Sequence, residues 1–136
     1  MKTKPVLSLQ DVKKIAAACE AEAAAHQWPM SIAICDDGGH TLWVQRQDGA
    51  PPATAPIAIE KARTAALIRR PTKAFEDLIN NGRVALMSTQ AISGILEGGE
   101  PLIVDGQVVG AIGISGGRPP EDGQVLQRGL QALGAR

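Results

Sequence analysis

Aromatic side chains are nearly missing from this sequence. Trp28, Trp43 and Phe75 are the whole set, with no tyrosine, in 136 residues. The core must then be assembled from Ala, Ile, Leu and Val. Each buries little area, but such small side chains let helix and sheet approach closely. Histidine is as scarce: His26 and His40 are the only two, which excludes a His-rich metal site. The two cysteines, Cys19 and Cys35, lack metal-ligand spacing and suit buried thiols in a reducing cytoplasm. No metal site is expected.

Net charge is absent as well, because fourteen basic residues balance fourteen acidic ones. That argues against a nucleic-acid partner, whose binding rests largely on neutralising phosphates. It argues equally against attraction to an anionic membrane surface. No apolar run approaches the length of a transmembrane helix. The opening MKTKPVLSLQ has neither the apolar core nor the small-residue cleavage site of a secretory signal. A cytoplasmic protein is expected. The sequence also lacks a strand–GxGxxG–helix or Walker pattern for nucleotides, a G-x-S-x-G nucleophile elbow, and a Cys–His pair that spacing alone would bring together.

What remains is a chain with 44% hydrophobic and 21% charged residues, enough to fold as one domain over residues 1–136. Ser8-Leu9-Gln10-Asp11 resembles a capping box. Val12, Ile15, Ala16, Cys19 and Ala23 follow at helical spacing, predicting a helix over 9–26. Met30–Cys35 is a short apolar strand. Asp36–Gly39 is a tight turn, and His40–Gln47 is the returning strand. Thr54–Arg70 is an Ala-rich helix with Pro56 near its first turn. Residues 73–80 form a short helix stopped at Asn80-Asn81-Gly82.

Residues 83–97 show no clear period and could hold a short helix at Ser88–Ile92 and a strand near Ile95. Beyond them, Leu102–Val104 and Val108–Ser115 are strands joined by Asp105-Gly106, a type I′ turn signal. Pro119, Pro120, Glu121 and Asp122 mark a helix N-terminus, and Val125, Leu126, Gly129, Leu130 and Leu133 give that helix an apolar face. The order α, hairpin, α, α, hairpin, α implies an α/β sandwich whose central sheet is antiparallel. Ala-rich helix faces would be natural contacts between copies in a homo-oligomer.

Four constellations could carry chemistry, each with a plainer reading beside it. Gly98-Gly99-x-Pro101 leaves backbone N–H groups open to a ligand, or is simply a tight turn. The glycines of Gly110–Gly117, around Ser115 and Gly116, mark close approach within a strand, either of a ligand or of a packed helix. Lys61 and Thr64 share a helix face; the lysine reaches into a cleft to hold a carboxylate, or belongs to a solvated basic face. His40 beside its turn is a better functional candidate than His26, or is an ordinary hairpin residue. No catalytic group is assigned.

Together, several segments resemble the GlcG/HbpS-like haem-binding (haem-degrading-type) family, which includes the C-terminal part of PduO-type proteins. The similarity lies in Lys61-Ala-Arg-Thr64-Ala, Gly98-Gly99-x-Pro101, Asp105-Gly106-x-x-x-Gly110-Ala-Ile-Gly-Ile-Ser115-Gly and Glu121-Asp122. Asp37-x-Gly39-His40 and Arg46-x-Asp48-Gly49-Ala50 match its first hairpin, so the resemblance spans roughly residues 8 to 133. It implies a profilin-like sandwich of central antiparallel sheet and helices. It implies homo-oligomers, some binding or degrading haem, others binding corrinoids or iron, and many encoded in catabolic operons.

The expected function is a small-ligand binding or accessory protein, with haem or another tetrapyrrole as ligand. The alternatives are an enzyme acting on a small organic acid and a structural oligomerisation module. The expected ligand-binding residues are Lys61, Thr64, Gly98, Gly99, Pro101, Ser115, Gly116, His40 and Glu121. For a haem iron, the available axial donors are His40, His26, Met30 and Met87.

Overall fold

The computed structural model describes residues 1–134. Helix α1 (Leu9–Ala25) leads into a hairpin, β1 (Ser31–Asp36) and β2 (Thr41–Arg46). Helices α2 (Thr54–Ile68) and α3 (Thr72–Asn80) follow, then a 3-10 turn at Val84–Ser88. A second hairpin, β3 (Gly99–Val104) and β4 (Gln107–Ser115), precedes α4 (Pro119–Ala132). The strands form one antiparallel sheet in the order β2-β1-β4-β3, so the two hairpins meet along β1 and β4.

Local chemistry explains the boundaries. The Ser8 hydroxyl accepts from the Asp11 N–H at 3.1 Å, and the Asp11 carboxylate accepts from the Ser8 N–H at 2.9 Å, completing the expected capping box. Asp105 and Gly106 both have positive φ, 51° and 76°, as a type I′ turn demands. Strand β3 starts three residues earlier than expected, because Pro101 is tolerated inside it. Pro101 lies on the sheet's edge strand, where a missing N–H removes no inner ladder bond.

Strand periodicity gives the sheet two different faces. One carries Ile32, Ile34, Ile112 and Ile114 against Val12 and Ile15 of α1 and Val125 and Leu130 of α4. The other carries Ala33, Cys35 and Ala111 against Ala58, Ala62, Ala65 and Ala66 of α2. Burial pushes the thiols of Cys19 and Cys35 up to about 12. The alanines of α2 are therefore used within the fold, contrary to their expected role between copies; on α1 the outward Ala17, Ala21, Ala24 and Ala25 remain exposed.

Residues 83–97 depart most from expectation. The short helix placed at Ser88–Ile92 is instead the 3-10 turn at Val84–Ser88, and no strand forms near Ile95. This strap is held by side chains of α2 and α3 rather than by a ladder. Arg63 donates to the Ala91 carbonyl at 2.6 Å, and Thr64 both donates to Ser93 O (2.6 Å) and accepts from Ser93 N–H (3.1 Å). Thr72 donates to Leu96 O at 2.5 Å, and Glu76 accepts from Glu97 N–H at 2.9 Å. Backbone bonds satisfied this way leave no local period for a sequence to display.

Candidate functional site

Most of the expected site residues gather where α2, the start of β3, the end of β4 and α4 meet. Lys61 is at the centre of that group, but it faces inward. Its ammonium donates to Ile114 O at 2.8 Å and to Asp122 Oδ2 at 3.2 Å, and both charged side chains are about 95% buried. The other Asp122 oxygen accepts from Gly117 N–H at 2.9 Å. Burial raises the Asp122 carboxyl above its ordinary range, and the facing Lys61 offsets this only in part.

The glycines serve this packing. A Cβ on Gly98 would lie 2.8 Å from Lys61 Nζ and 2.7 Å from Ile114 O. One on Gly99 would strike the Lys61 carbonyl, and one on Gly113 the Ala58 carbonyl. The Gly99 N–H, expected to face a ligand, donates to Thr72 Oγ1 at 3.0 Å. Ser115 and Gly116 are at the same end of β4, where Gly116 fits against Pro29 and Met30. Pro101 is buried in β3. Glu121 closes the α4 N-terminus: its carboxylate accepts from Arg118 N–H at 2.9 Å, which holds it below the usual carboxylate range.

The axial-donor candidates separate cleanly. His40 is at the opposite end of the β1–β4 ladder from Ser115, solvent-exposed and 3.2 Å from Asp36. His26 stacks on Trp28 with ring centroids 4.2 Å apart and meets Glu22 at 3.2 Å. Met30 is wholly buried in the core, whereas Met87 is 70% exposed.

A cavity open to solvent lies beneath the strap. It encloses about 520 Å³ between α3, the 3-10 turn and residues 89–96, within the range of ordinary small-ligand sites. Its apolar walls are Ile79, Leu86, Met87, Ile92, Ile95 and Leu96; its polar side chains are Glu76, Asn80, Thr89 and Ser93. Of the residues expected to bind, only Met87, named as an axial donor, lines it, although Thr64 fixes Ser93 in its wall. Sequence reasoning missed the other lining residues for want of a period. The available signal was compositional: Leu86, Met87, Ile92, Ile95 and Leu96 crowd into a segment with neither helical nor strand repeat. Among the described residues, no group of three or more His, Cys, Asp or Glu could hold a metal ion, and no helix is long and apolar enough to cross a membrane.

An antiparallel sheet with α1 and α4 on one face and α2 on the other defines a single-domain α/β sandwich. The model of the family described as "Haem degrading protein HbpS-like" matches residues 7–131, and the chain belongs to the HbpS-like family. It is 50% identical over 115 residues to Protein GlcG of Escherichia coli, covering 85% of each chain. A PduOC–haem complex superposes with a TM-score of 0.88 at 25% identity, covering 97% of this chain and 98% of that one. A double mutant of Streptomyces reticuli HbpS superposes with a TM-score of 0.88 at 28% identity, covering 98% and 90%.

Proposed function

We propose that this chain is a small-ligand binding or accessory protein of the cytoplasm, with haem or another tetrapyrrole as ligand, held in the cavity beneath the strap. The observation that carries the proposal is the cavity itself: about 520 Å³, apolar-walled, with its polar side chains at a few points. The solved haem complex of a relative supports the ligand class. Ile79, Ile92 and Ile95 offer apolar surface to a ring, and the Met87 thioether is an accessible soft donor for its iron. When bound, haem would supply its own redox and axial-ligand chemistry; the chain supplies burial and orientation.

Assembly into a homo-oligomer is part of this reading. With the α2 alanines buried, apolar surface for contact between copies remains at exposed Leu42 and Val44 on edge strand β2 and at the outward alanines of α1. Light scattering at micromolar concentration checks that assembly, and a monomer would remove it.

Titration of the purified protein with hemin, followed at the Soret band, tests the ligand. The expected result is a saturable shift that is weakened in Met87→Ala and unchanged in His40→Ala. No shift in the wild type would sink the tetrapyrrole reading. A shift lost in His40→Ala but kept in Met87→Ala would move the site to the first hairpin.

A further inference from the structure

The cavity beneath the strap is apolar, yet it is not electrically neutral. Glu76 is the one ionisable side chain in its lining, and no lysine or arginine lines it. One Glu76 oxygen accepts from Glu97 N–H at 2.9 Å; the other has no hydrogen bond or ion pair to any described residue. Lys73, one turn earlier on α3, is the cation nearest in sequence; its ammonium pairs with Asp77 at 3.1 Å and also feels the Glu97 and Glu76 carboxylates, so one cation is shared among three carboxylates. A half-buried negative charge therefore stands in an apolar wall, where it is screened less than it would be in open water.

We infer that Glu76 makes this pocket select its ligand by charge: the inserted part is apolar and neutral or cationic, and any carboxylate of the ligand is turned outward to the mouth. For a tetrapyrrole, the ring edge without carboxylates enters first. The inference rests on the proposed use of the cavity and adds the class of ligand it takes. A pocket evolved to seat carboxylates inward would present donors such as Arg or Lys. Asn80 and Ser93, the uncharged polar groups beside Glu76, suit a neutral hydrogen-bonding edge.

The test compares hemin with its dimethyl ester, the same ring without its two carboxylates, in wild type and Glu76→Gln. Glutamine keeps an oxygen to accept from Glu97 N–H, so the strap stays anchored. Dissociation constants come from Soret titration. Glu76→Gln is expected to tighten hemin by roughly tenfold, which is about 1.4 kcal/mol, and to change the ester by less than about twofold. The wild-type preference for the ester should also shrink at about 1 M salt, where charge interactions are screened within about 3 Å. If both ligands bind and Glu76→Gln leaves their ratio unmoved, charge selection is overturned while the pocket stands. If neither binds the wild type, pocket and charge selection fail together.

Discussion

Lys61 Nζ stands 3.2 Å from Asp122 Oδ2, and both side chains are about 95% buried, so the pair ties α2 to the first turn of α4 through the end of β4. A buried pair broken on one side leaves an uncompensated charge. Lys61→Met should therefore cost about 3–5 kcal/mol of unfolding free energy. The double variant Lys61→Met/Asp122→Leu should recover much of that loss, because no lone charge remains. Guanidinium denaturation of the wild type and both variants checks this. A double variant no better than the single one would contradict it.

The same pair carries a pH signature with a definite sign. Burial raises the folded-state carboxyl of Asp122 above its ordinary value of 3.8. The folded state then holds a proton that the unfolded chain has released, so the contribution of this group is full below 3.8 and is lost as pH rises through the raised value. In Asp122→Asn that titration is absent. The stability advantage of wild type over Asp122→Asn should shrink from acid toward neutral pH, measured by denaturant midpoints at a series of pH values. An advantage that grows with pH would reverse the assignment.

Glycine substitutions should separate packing from turn geometry. Gly113 has no room for a Cβ against the Ala58 carbonyl of α2, whereas Gly106 has nothing within 4 Å and only its φ of +76° to satisfy. Gly113→Ala should push α2 off the sheet and cost about 3 kcal/mol or more, at the upper end of overpacking. Gly106→Ala should cost only about 1–2 kcal/mol of backbone strain. Thermal unfolding of the two variants ranks them, and equal costs would remove close helix–sheet approach as the reason for Gly113.

Wherever a local rule controls the backbone, the fold was legible in the sequence. Ser8 and Asp11 announce α1, Asp105-Gly106 announces the second hairpin, and the order of hairpins and helices implies the antiparallel sandwich. The glycines of Gly98–Gly117 were legible as points of close approach. What they approach was not legible, because it depends on Lys61, Thr72 and Ala58 arriving from elsewhere in the chain. The cavity was hidden for the same reason. Its strap borrows its hydrogen-bond partners from Arg63, Thr64, Thr72 and Glu76, so no repeat within residues 83–97 records its path.

Removing one of those partners should loosen the strap without unfolding the sheet. Thr64→Val deletes the hydroxyl that bonds both Ser93 N–H and Ser93 O. A loss of about 1–3 kcal/mol is expected for stranding those groups. Hydrogen exchange should speed up in residues 83–97 while β1 and β4 stay protected. Uniform acceleration across the chain would show that the strap is not a separable unit.

The most direct measurement of the central claim is where a tetrapyrrole protects the chain. Hydrogen exchange with and without saturating hemin should show added protection in α3 and the strap, over residues 76–96, with little change at the His40 turn. Protection centred on the Gly98–Gly117 hairpin or on His40, with none at residues 76–96, would contradict the assignment of the site.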